Sequence, residues 1–370
     1  MFITIEWFRP AYKAGGPIQS IANLVQNVPD YEYRIFCSNK DEDGSVLYGV
    51  TFDAWTNYSV NTKVWYASKN RAATLKKEVK AIRPHTLFII GMYSIVFNLV
   101  PILFCKAPNK IISARGMLHP GALAQKKAKK KFYLSLLKFF GIKNRFAFHA
   151  SDEQEKIYTR KIFGEKTKVF VANNFPAMLP VLPSPIKKNG YLQLISIALI
   201  SPMKNILRVL QAVKNCSQQI SYTIYGPVKD EIYWKHCLEE IKKMPGNIVV
   251  DYKDDIHPDE LPAALATGQV FILPSESENF GHAIYEALSA GKPVITSNST
   301  PWNNLEVAKA GINVALSNTN DITIAINFFA EMDNEEFTKW SRCANEYSQK
   351  AIDREEIKRQ YHNMFAQLQN

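Results

Sequence analysis

Residues 273–297 read LPSESENFGHAIYEALSAGKPVITS. Their pattern is the strongest indication of the fold of the second half of the chain. An apolar run ending at Pro274 predicts a strand, a polar loop with a glycine follows, and a helix is predicted to begin near His282. The run PVITS then predicts another strand. Strand, helix and strand in this order are typical of a parallel sheet with helices on its faces.

The same alternation runs through the rest of the chain. Strands are predicted in the first half at FITIEW, YRIFCS, TLFII, KIISAR, FAFHA and KVFVAN, and in the second half at YLQLISI, SYTIYG, NIVVDY, QVFILP and INVAL. The proline-rich residues 176–190 predict a linker. We therefore expect an α/β fold of two Rossmann-like domains, 1–180 and 181–352, whose parallel sheets face a cleft, with helix 353–370 packed back on the first domain.

The loop and helix start at residues 278–286 are the first candidate for a binding site. At a predicted helix start, the backbone N–H groups of Phe280, Gly281 and His282 would suit a diphosphate or sugar hydroxyls. Glu278 and Glu286 can each accept two hydrogen bonds from vicinal hydroxyls. The alternative is that Glu286 is a surface helix residue and Glu278 a charge that offsets the helix dipole.

PSESENFGHAIYEALSAGKPVI resembles the E-x7-E donor motif of retaining GT-B glycosyltransferases, specifically glycosyltransferase family 4. The similarity extends to AGGP in the first loop, SARGML from Ser113, HASDEQE from His149, SPMKN from Ser201 and TPWNNLE from Thr300. The resemblance implies a two-domain enzyme that moves a sugar from a nucleotide-diphosphate sugar with retention. It also implies a front-side reaction, in which the departing phosphate takes the acceptor's proton and no protein nucleophile is needed.

The resemblance also assigns roles at the donor site. It implies that Glu286 holds the ribose hydroxyls and Glu278 the transferred sugar, while Phe280 and Gly281 present backbone amides beside His282. Glu278 and Lys204 are the predicted catalytic residues.

SPMKN departs from the family pattern, which places an arginine and a lysine there to neutralise the leaving diphosphate. Lys204 is present, but the arginine position holds Leu199, which we expect in the strand core. Preorganised cations are usually a large catalytic contribution, so either the helix start and another basic residue compensate, or turnover is slow. The alternative for Lys204 is an ordinary exposed lysine.

Further candidates lie in the first domain. Gly15 and Gly16 stand between the first strand and helix, where glycine lets the backbone approach donor phosphates, unless they form only a tight turn. Arg115, His119 and His149 follow strands and are predicted to contact acceptor or donor phosphate. For His149, a packed histidine at a strand end is the alternative.

No metal is expected. Asp41 and Asp43 have the spacing to chelate a divalent ion, but NKDEDGS is more typical of a solvated turn. Five scattered cysteines argue against a zinc site and a disulfide framework and favour a reducing cytoplasm: Cys37, Cys105, Cys216, Cys237 and Cys343.

Positive charge is concentrated in residues 79–151, which hold 13 lysines and arginines and no acidic residue. A lysine run there continues into FYLSLLKFFG and indicates a patch for an anionic membrane surface or nucleic acid. Apolar residues at helical spacing favour a membrane surface over nucleic acid. Two alternatives are that these residues face the core, or that the helix has only an ordinary solvated face. The lysines are Lys126, Lys127, Lys129, Lys130 and Lys131, and the apolar residues are Phe132, Leu136, Phe139 and Phe140.

Residues 87–105 carry no charge and reach the length of a transmembrane helix. Gly91, Asn98 and Pro101 interrupt them, so a strand, a turn and an amphipathic helix are predicted. The N-terminus MFITIEWFRP predicts a first strand and no signal peptide. We expect a cytoplasmic protein, peripheral on the inner face of the membrane.

The function predicted is transfer of a sugar to a saccharide or lipid-linked saccharide, in the synthesis of a bacterial surface polysaccharide such as capsule or O-antigen. No nucleic-acid partner is expected. Two alternatives stay open: a sugar-nucleotide epimerase of the same fold, which would need no acceptor, and a non-enzymatic basic module that binds membrane or nucleic acid.

Overall fold

The computed structural model describes residues 1–124 and 127–367, which form two compact units. Unit 1 comprises Met1–Phe175 and the C-terminal segment from Arg354, and unit 2 comprises Pro176–Asp353. Each unit has its own sheet and apolar core. The predicted α/β fold with two mostly parallel sheets is confirmed.

The described part of unit 1 has an eight-stranded sheet in the order β3-β4-β2-β1-β5-β6-β7-β8. Only β3 runs antiparallel to its neighbour there. The strands are β1 Phe2–Thr4, β2 Tyr33–Ser38, β3 Trp55–Ser59, β4 Thr62–Ala67, β5 Thr86–Ile90, β6 Asn109–Ser113, β7 Ala147–Ala150 and β8 Val169–Val171.

The helices of unit 1 that precede the linker follow the predicted alternation. They are α1 Gly16–Asn27, α2 Arg71–Ile82, α3 Val100–Phe104, α4 Pro120–Ala124, α5 Lys127–Phe139, α6 Ile142–Arg145 and α7 Glu153–Phe163.

Unit 2 has a six-stranded, all-parallel sheet in the order β11-β10-β9-β12-β13-β14 within the described residues. Its strands are β9 Tyr191–Ile197, β10 Gln219–Tyr225, β11 Ile248–Tyr252, β12 Val270–Leu273, β13 Val294–Ser297 and β14 Gly311–Val314. Its helices are α8 Ile206–Lys214, α9 Glu231–Ile241, α10 Leu261–Thr267, α11 His282–Ser289, α12 Thr319–Ala330 and α13 Asn334–Ala351.

The last helix, α14 Arg354–Ala366, belongs to unit 1. The fully buried Tyr361 ring lies 5.6 Å from the ring of His149 and 5.6 Å from that of Phe175. The Asn173 amide also donates to Gln360 Oε1 at 2.9 Å. These contacts explain why α14 packs on the β7 and β8 side of the first sheet.

Residues 87–105 form β5, a π-helical turn at Ile95–Leu99, and α3, as predicted. Asn98 is buried, donates to the Ile90 carbonyl at 2.7 Å and accepts from the Ser94 amide at 2.9 Å. Its side chain thus joins the strand to the helix that follows. Among the described residues, no helix is both long enough and apolar enough to cross a membrane.

A buried lysine binds the linker, residues 176–190, to the rest of unit 2. Lys292 is fully buried and donates to the Pro183 carbonyl at 2.9 Å, Ser184 Oγ at 2.6 Å and the Gly268 carbonyl at 3.0 Å. Burial lowers the pKa of Lys292 to about 8. Because three oxygens accept all three N–H bonds of the ammonium group, the charge is solvated by the protein itself.

Candidate functional site

The candidate site of unit 2 is built from loops at one edge of its sheet. Strands β9, β10, β12 and β13 are parallel, so the segments that follow them emerge at the same edge. SPMKN follows β9, SESENFG follows β12 and TPWNNLE follows β13. The sheet therefore brings together three of the motifs on which the resemblance rests.

Gly226 allows the loops after β9 and β10 to approach each other. It has a φ of 139°, and a Cβ there would lie 1.8 Å from the Ala198 carbonyl oxygen. Any larger residue would separate the two loops.

Asn205 ties the loop after β9 to the loop after β12. It adopts the left-handed conformation at the start of α8, with φ 57°. Its side-chain amide donates to the Pro274 carbonyl at 2.8 Å and to Glu276 Oε1 at 3.0 Å. The Glu276 amide donates to the Met203 carbonyl at 2.8 Å. These bonds fix Lys204, which lies between Met203 and Asn205, relative to the loop after β12.

Lys204 and Glu278 form an ion pair. Lys204 Nζ lies 2.5 Å from Glu278 Oε1, and Ser275 Oγ donates to the same oxygen at 2.7 Å. The side chains are only 22% and 11% exposed, so the pair is largely withdrawn from solvent. The structure thus joins the two residues that the resemblance makes catalytic, and Lys204 is not an ordinary exposed lysine.

Helix α11 begins at a glycine. Gly281 has φ 75° and precedes the first helical residue, His282, whose ring lies 4.7 Å from the Phe280 ring. The first amides of a helix have no partner within it, so this end can bind an anion or hydroxyl oxygens. Glu286 lies on the second turn and is only 4% exposed, which excludes its interpretation as a surface helix residue.

Leu199 was expected in the strand core, and that expectation is wrong. Strand β9 ends at Ile197, and Leu199 lies two residues further on, half-buried in the loop that leads to SPMKN. The departure from the family pattern therefore falls within the site loop.

In unit 1, Gly15 and Gly16 connect β1 to α1. Gly15 has φ 71° and caps the helix, whose first residue is Gly16. The Asp41 carboxylate accepts hydrogen bonds from the amides of Tyr12 at 2.9 Å and Lys13 at 3.2 Å, and it is 5% exposed.

Asp41 therefore holds the loop that leads to Gly15 and Gly16. Neither of the two interpretations of Asp41, as a metal ligand or as part of a solvated turn, predicted this role. Asp43 pairs instead with Lys13 Nζ, at 2.9 Å. In the described ranges, no three His, Cys, Asp or Glu side chains are grouped so as to hold a metal ion.

The other candidates of unit 1 are engaged within the unit. His149 Nε2 donates to the Ala172 carbonyl at 2.9 Å, so Nδ1 accepts from Ser113 Oγ at 2.8 Å. Burial lowers the pKa of His149 to about 3, and the ring is neutral. This arrangement fits the packed interpretation of His149.

Arg115 is buried, has φ 51° and donates to Asn174 Oδ1. His119 Nδ1 accepts from the Gly121 amide at 3.1 Å, at the start of α4.

Sequence reasoning missed Glu155. This buried carboxylate on α7 accepts from the Gly116 amide at 2.6 Å and from the Ser151 amide at 2.8 Å. It thereby orients the backbone next to Arg115. The acidic segment HASDEQE indicates that a carboxylate lies near the end of β7. Only the fold shows that Glu155 is the one that turns inward.

Helix α5 carries the described lysines of the run, Lys129, Lys130 and Lys131. Lys129 and Lys131 are exposed, whereas Lys130 Nζ donates to the Ala122 carbonyl at 2.6 Å and lies over the Tyr93 ring. Lys126 and the Lys127 side chain lie outside the described residues.

Three phenylalanines of α5 and its C-terminal end do not face the core, whereas Tyr133 packs against it. Phe132 is 72% exposed and Phe139 is 84% exposed, while Leu134 and Leu137 on the opposite side are buried. Phe140, just after the helix, is 40% exposed, and Leu136 is half-buried. The core-facing alternative is therefore wrong for the three phenylalanines.

Comparison with known proteins shows what the second unit is similar to. Residues 183–345 match the family model described as "Glycosyl transferases group 1". Sulfoquinovosyl transferase SQD2 of Arabidopsis thaliana is 36% identical over 61 residues, a match that spans 16% of this chain and 12% of that protein. Most of unit 2 is thus similar to glycosyl transferases group 1.

Solved structures extend the similarity to the whole fold. HepE of Anabaena in complex with UDP-glucose superposes with a TM-score of 0.71 at 14% identity, over 99% of both chains. WaaG, a glycosyltransferase involved in lipopolysaccharide biosynthesis, superposes with a TM-score of 0.67 at 11% identity, over 98% of both chains. The fold is therefore the GT-B fold that the sequence predicted.

Proposed function

We propose that this chain is a retaining glycosyltransferase of family 4 that moves a sugar from a nucleotide-diphosphate sugar to a saccharide or lipid-linked saccharide. The observation that carries the proposal is the Lys204–Glu278 pair, 2.5 Å apart, on loops bound to each other by Asn205 in a region similar to glycosyl transferases group 1. HepE, which shares the fold, is described in complex with UDP-glucose.

The donor would bind at the loops of unit 2. Amides at the start of α11, next to Gly281, would receive phosphate or sugar oxygens, and Glu286 would hold the ribose. An ammonium group has three N–H bonds, so Lys204 can keep its bond to Glu278 and still donate to the leaving diphosphate. Glu278, held by Lys204 and Ser275, would orient the transferred sugar.

The reaction proposed needs no nucleophile from the protein. The acceptor oxygen forms the new bond to the anomeric carbon on the face that the diphosphate leaves, and the acceptor proton passes to the departing phosphate oxygen. Lys204 and the helix-start amides stabilise the negative charge that develops on that phosphate. With Leu199 at the arginine position of the family, fewer cations face this charge, so we propose slow turnover unless another basic residue compensates.

Two glutamate variants separate sugar contacts from nucleotide contacts. Glu278→Gln should bind nucleoside diphosphate nearly as well as the parent and lose transfer, because it removes the carboxylate that orients the sugar and leaves Lys204, no longer in an ion pair, to hold the diphosphate. Glu286→Ala should weaken the nucleoside diphosphate itself about tenfold or more, since a buried acceptor of ribose hydroxyls is lost. Calorimetry and a transfer assay measure the two effects, with the exposed Glu239→Gln on α9 as control.

Parental affinity of Glu286→Ala for nucleoside diphosphate would contradict the ribose assignment. Conversion of the donor by the parent without any acceptor would favour the epimerase.

Metal independence is part of the proposal. Lys204 and the helix-start amides are proposed to hold the diphosphate, while Asp41 binds backbone amides of the first loop. Transfer should therefore persist in EDTA at the parental rate. Loss of transfer on chelation, restored by magnesium or manganese, would contradict it.

We further propose that the acceptor is lipid-linked, in the synthesis of a bacterial surface polysaccharide, and that the protein works at the inner face of the membrane. WaaG, which shares the fold, is described as involved in lipopolysaccharide biosynthesis. Helix α5 combines the exposed Lys129 and Lys131 with the exposed Phe132 and Phe139. Such a surface suits an anionic leaflet, because the rings insert beside the headgroups while the lysines meet their charge. Nucleic acid would gain little from the rings.

Vesicle sedimentation tests the surface of α5. The parent should bind anionic but not neutral vesicles, and rising salt should reduce the binding. Replacing the five lysines at positions 126, 127 and 129–131 by Gln should weaken binding to anionic vesicles, because each charge near the surface contributes about 1 kcal/mol. Phe132→Ser with Phe139→Ser should weaken it about tenfold or more, because two large apolar side chains no longer insert.

The control is Ile232→Ser, which removes an apolar side chain of similar exposure (71%) from α9 of unit 2. Equal binding to neutral vesicles, or tighter binding to duplex DNA at matched salt, would refute the membrane proposal and leave the donor site untouched.

A further inference from the structure

Trp302 contacts the start of α11 through its indole nitrogen. Trp302 is 4% exposed, and its Nε1–H donates to the Phe280 carbonyl at 2.6 Å. Its ring lies 5.3 Å from the Phe280 ring and 5.4 Å from that of Tyr285. A Cβ on Gly281 would lie 3.1 Å from the same indole nitrogen. The indole therefore contacts the peptide that joins Phe280 to Gly281 from one side.

This contact determines where the next amide points. In a trans peptide the C=O and N–H bonds point in opposite directions. Because the Phe280 carbonyl points at the indole, the Gly281 N–H points away from it. Glycine adopts positive and negative φ with similar ease, so a peptide before glycine can turn over when nothing holds its carbonyl.

The loop that carries Trp302 is itself held in place. Asn313 donates from its side chain to the Trp302 carbonyl at 2.8 Å and accepts from the Leu305 amide at 3.1 Å. The Tyr347 hydroxyl on α13 donates to the Asn303 carbonyl at 2.8 Å. Hydrogen bonds from β14 and from α13 thus hold the backbone of Trp302 and Asn303, and with it the indole.

We propose that Trp302 is a positioning residue of the donor site: its indole N–H fixes the 280–281 peptide so that the Gly281 amide is presented to the donor. This role rests on the proposed function, because it assigns that amide to the nucleotide sugar. Trp302 itself touches no reacting atom. Its effect passes through one peptide group.

Trp302→Phe tests the role, because phenylalanine keeps an apolar ring and removes the N–H. The matched control is Trp340→Phe, which removes another buried indole N–H of unit 2, bonded to Glu336 Oε1 at 3.2 Å. Both variants should unfold at similar temperatures. Calorimetry with UDP, GDP, ADP and their glucose esters identifies the ligand that the parent binds best. Trp302→Phe should bind that ligand about tenfold more weakly, as expected for one lost hydrogen bond to a charged group, and Trp340→Phe should match the parent.

Steady-state kinetics distinguishes an effect on the Gly281 amide from a general loosening of the protein. The KM for the donor should rise while the KM for the acceptor stays at the parental value. Equal weakening of diphosphate and glucose ester would place the Gly281 amide on phosphate, and weakening of the glucose ester alone would place it on the sugar; either supports the role.

Three results would overturn the proposal. In the first, the parent binds a nucleotide and Trp302→Phe binds it equally well, which refutes the role and leaves the proposed function standing. In the second, the parent binds none of these ligands, which refutes both. In the third, a crystal structure of Trp302→Phe shows the 280–281 peptide in the parental orientation with undiminished order.

Discussion

Parallel strands leave a sheet at the same edge, and the site of unit 2 depends on that constraint. Strands β9, β12 and β13 deliver Lys204, Glu278 and Trp302 to one edge although these residues are far apart in sequence. Gly226 lets two loops approach there, and Asn205 binds two loops to each other. The Lys204–Glu278 pair is therefore assembled by backbone geometry.

Much of this arrangement was predictable, because apolar periodicity reports strands and buried helices directly. Both parallel sheets, the helix start at His282 and the interrupted segment 87–105 were predicted and are present. The edge strand β3 was missed because its residues 57–59 are exposed, so burial imposes no apolar pattern there. Its neighbour β4 was missed although Thr62, Val64 and Ala67 are buried in it. Leu199 was misplaced because an apolar residue after a strand looks like its continuation.

Side-chain partners were the least predictable part, because they depend on which elements the fold brings together. Asp41 was read as solvated, yet it binds amides of a loop 28 residues away in sequence. His149 and Lys130 turn inward, while Phe132 and Phe139 turn outward against the usual fate of aromatic residues. Nothing in TPWNNLE identifies the indole of Trp302 as the partner of the Phe280 carbonyl, since only tertiary packing joins them.

The most direct test of a donor site on unit 2 is hydrogen exchange with mass spectrometry, combined with thermal unfolding across a panel of nucleotide sugars. We expect one nucleotide sugar, at 100 times its Kd, to stabilise the chain by about 2.7 kcal/mol. That ligand should slow exchange of amides at residues 201–205 and 274–286, the two loops joined by Lys204 and Glu278. A stabilising ligand that protects neither segment, or a panel in which no ligand stabilises the chain, would contradict the account.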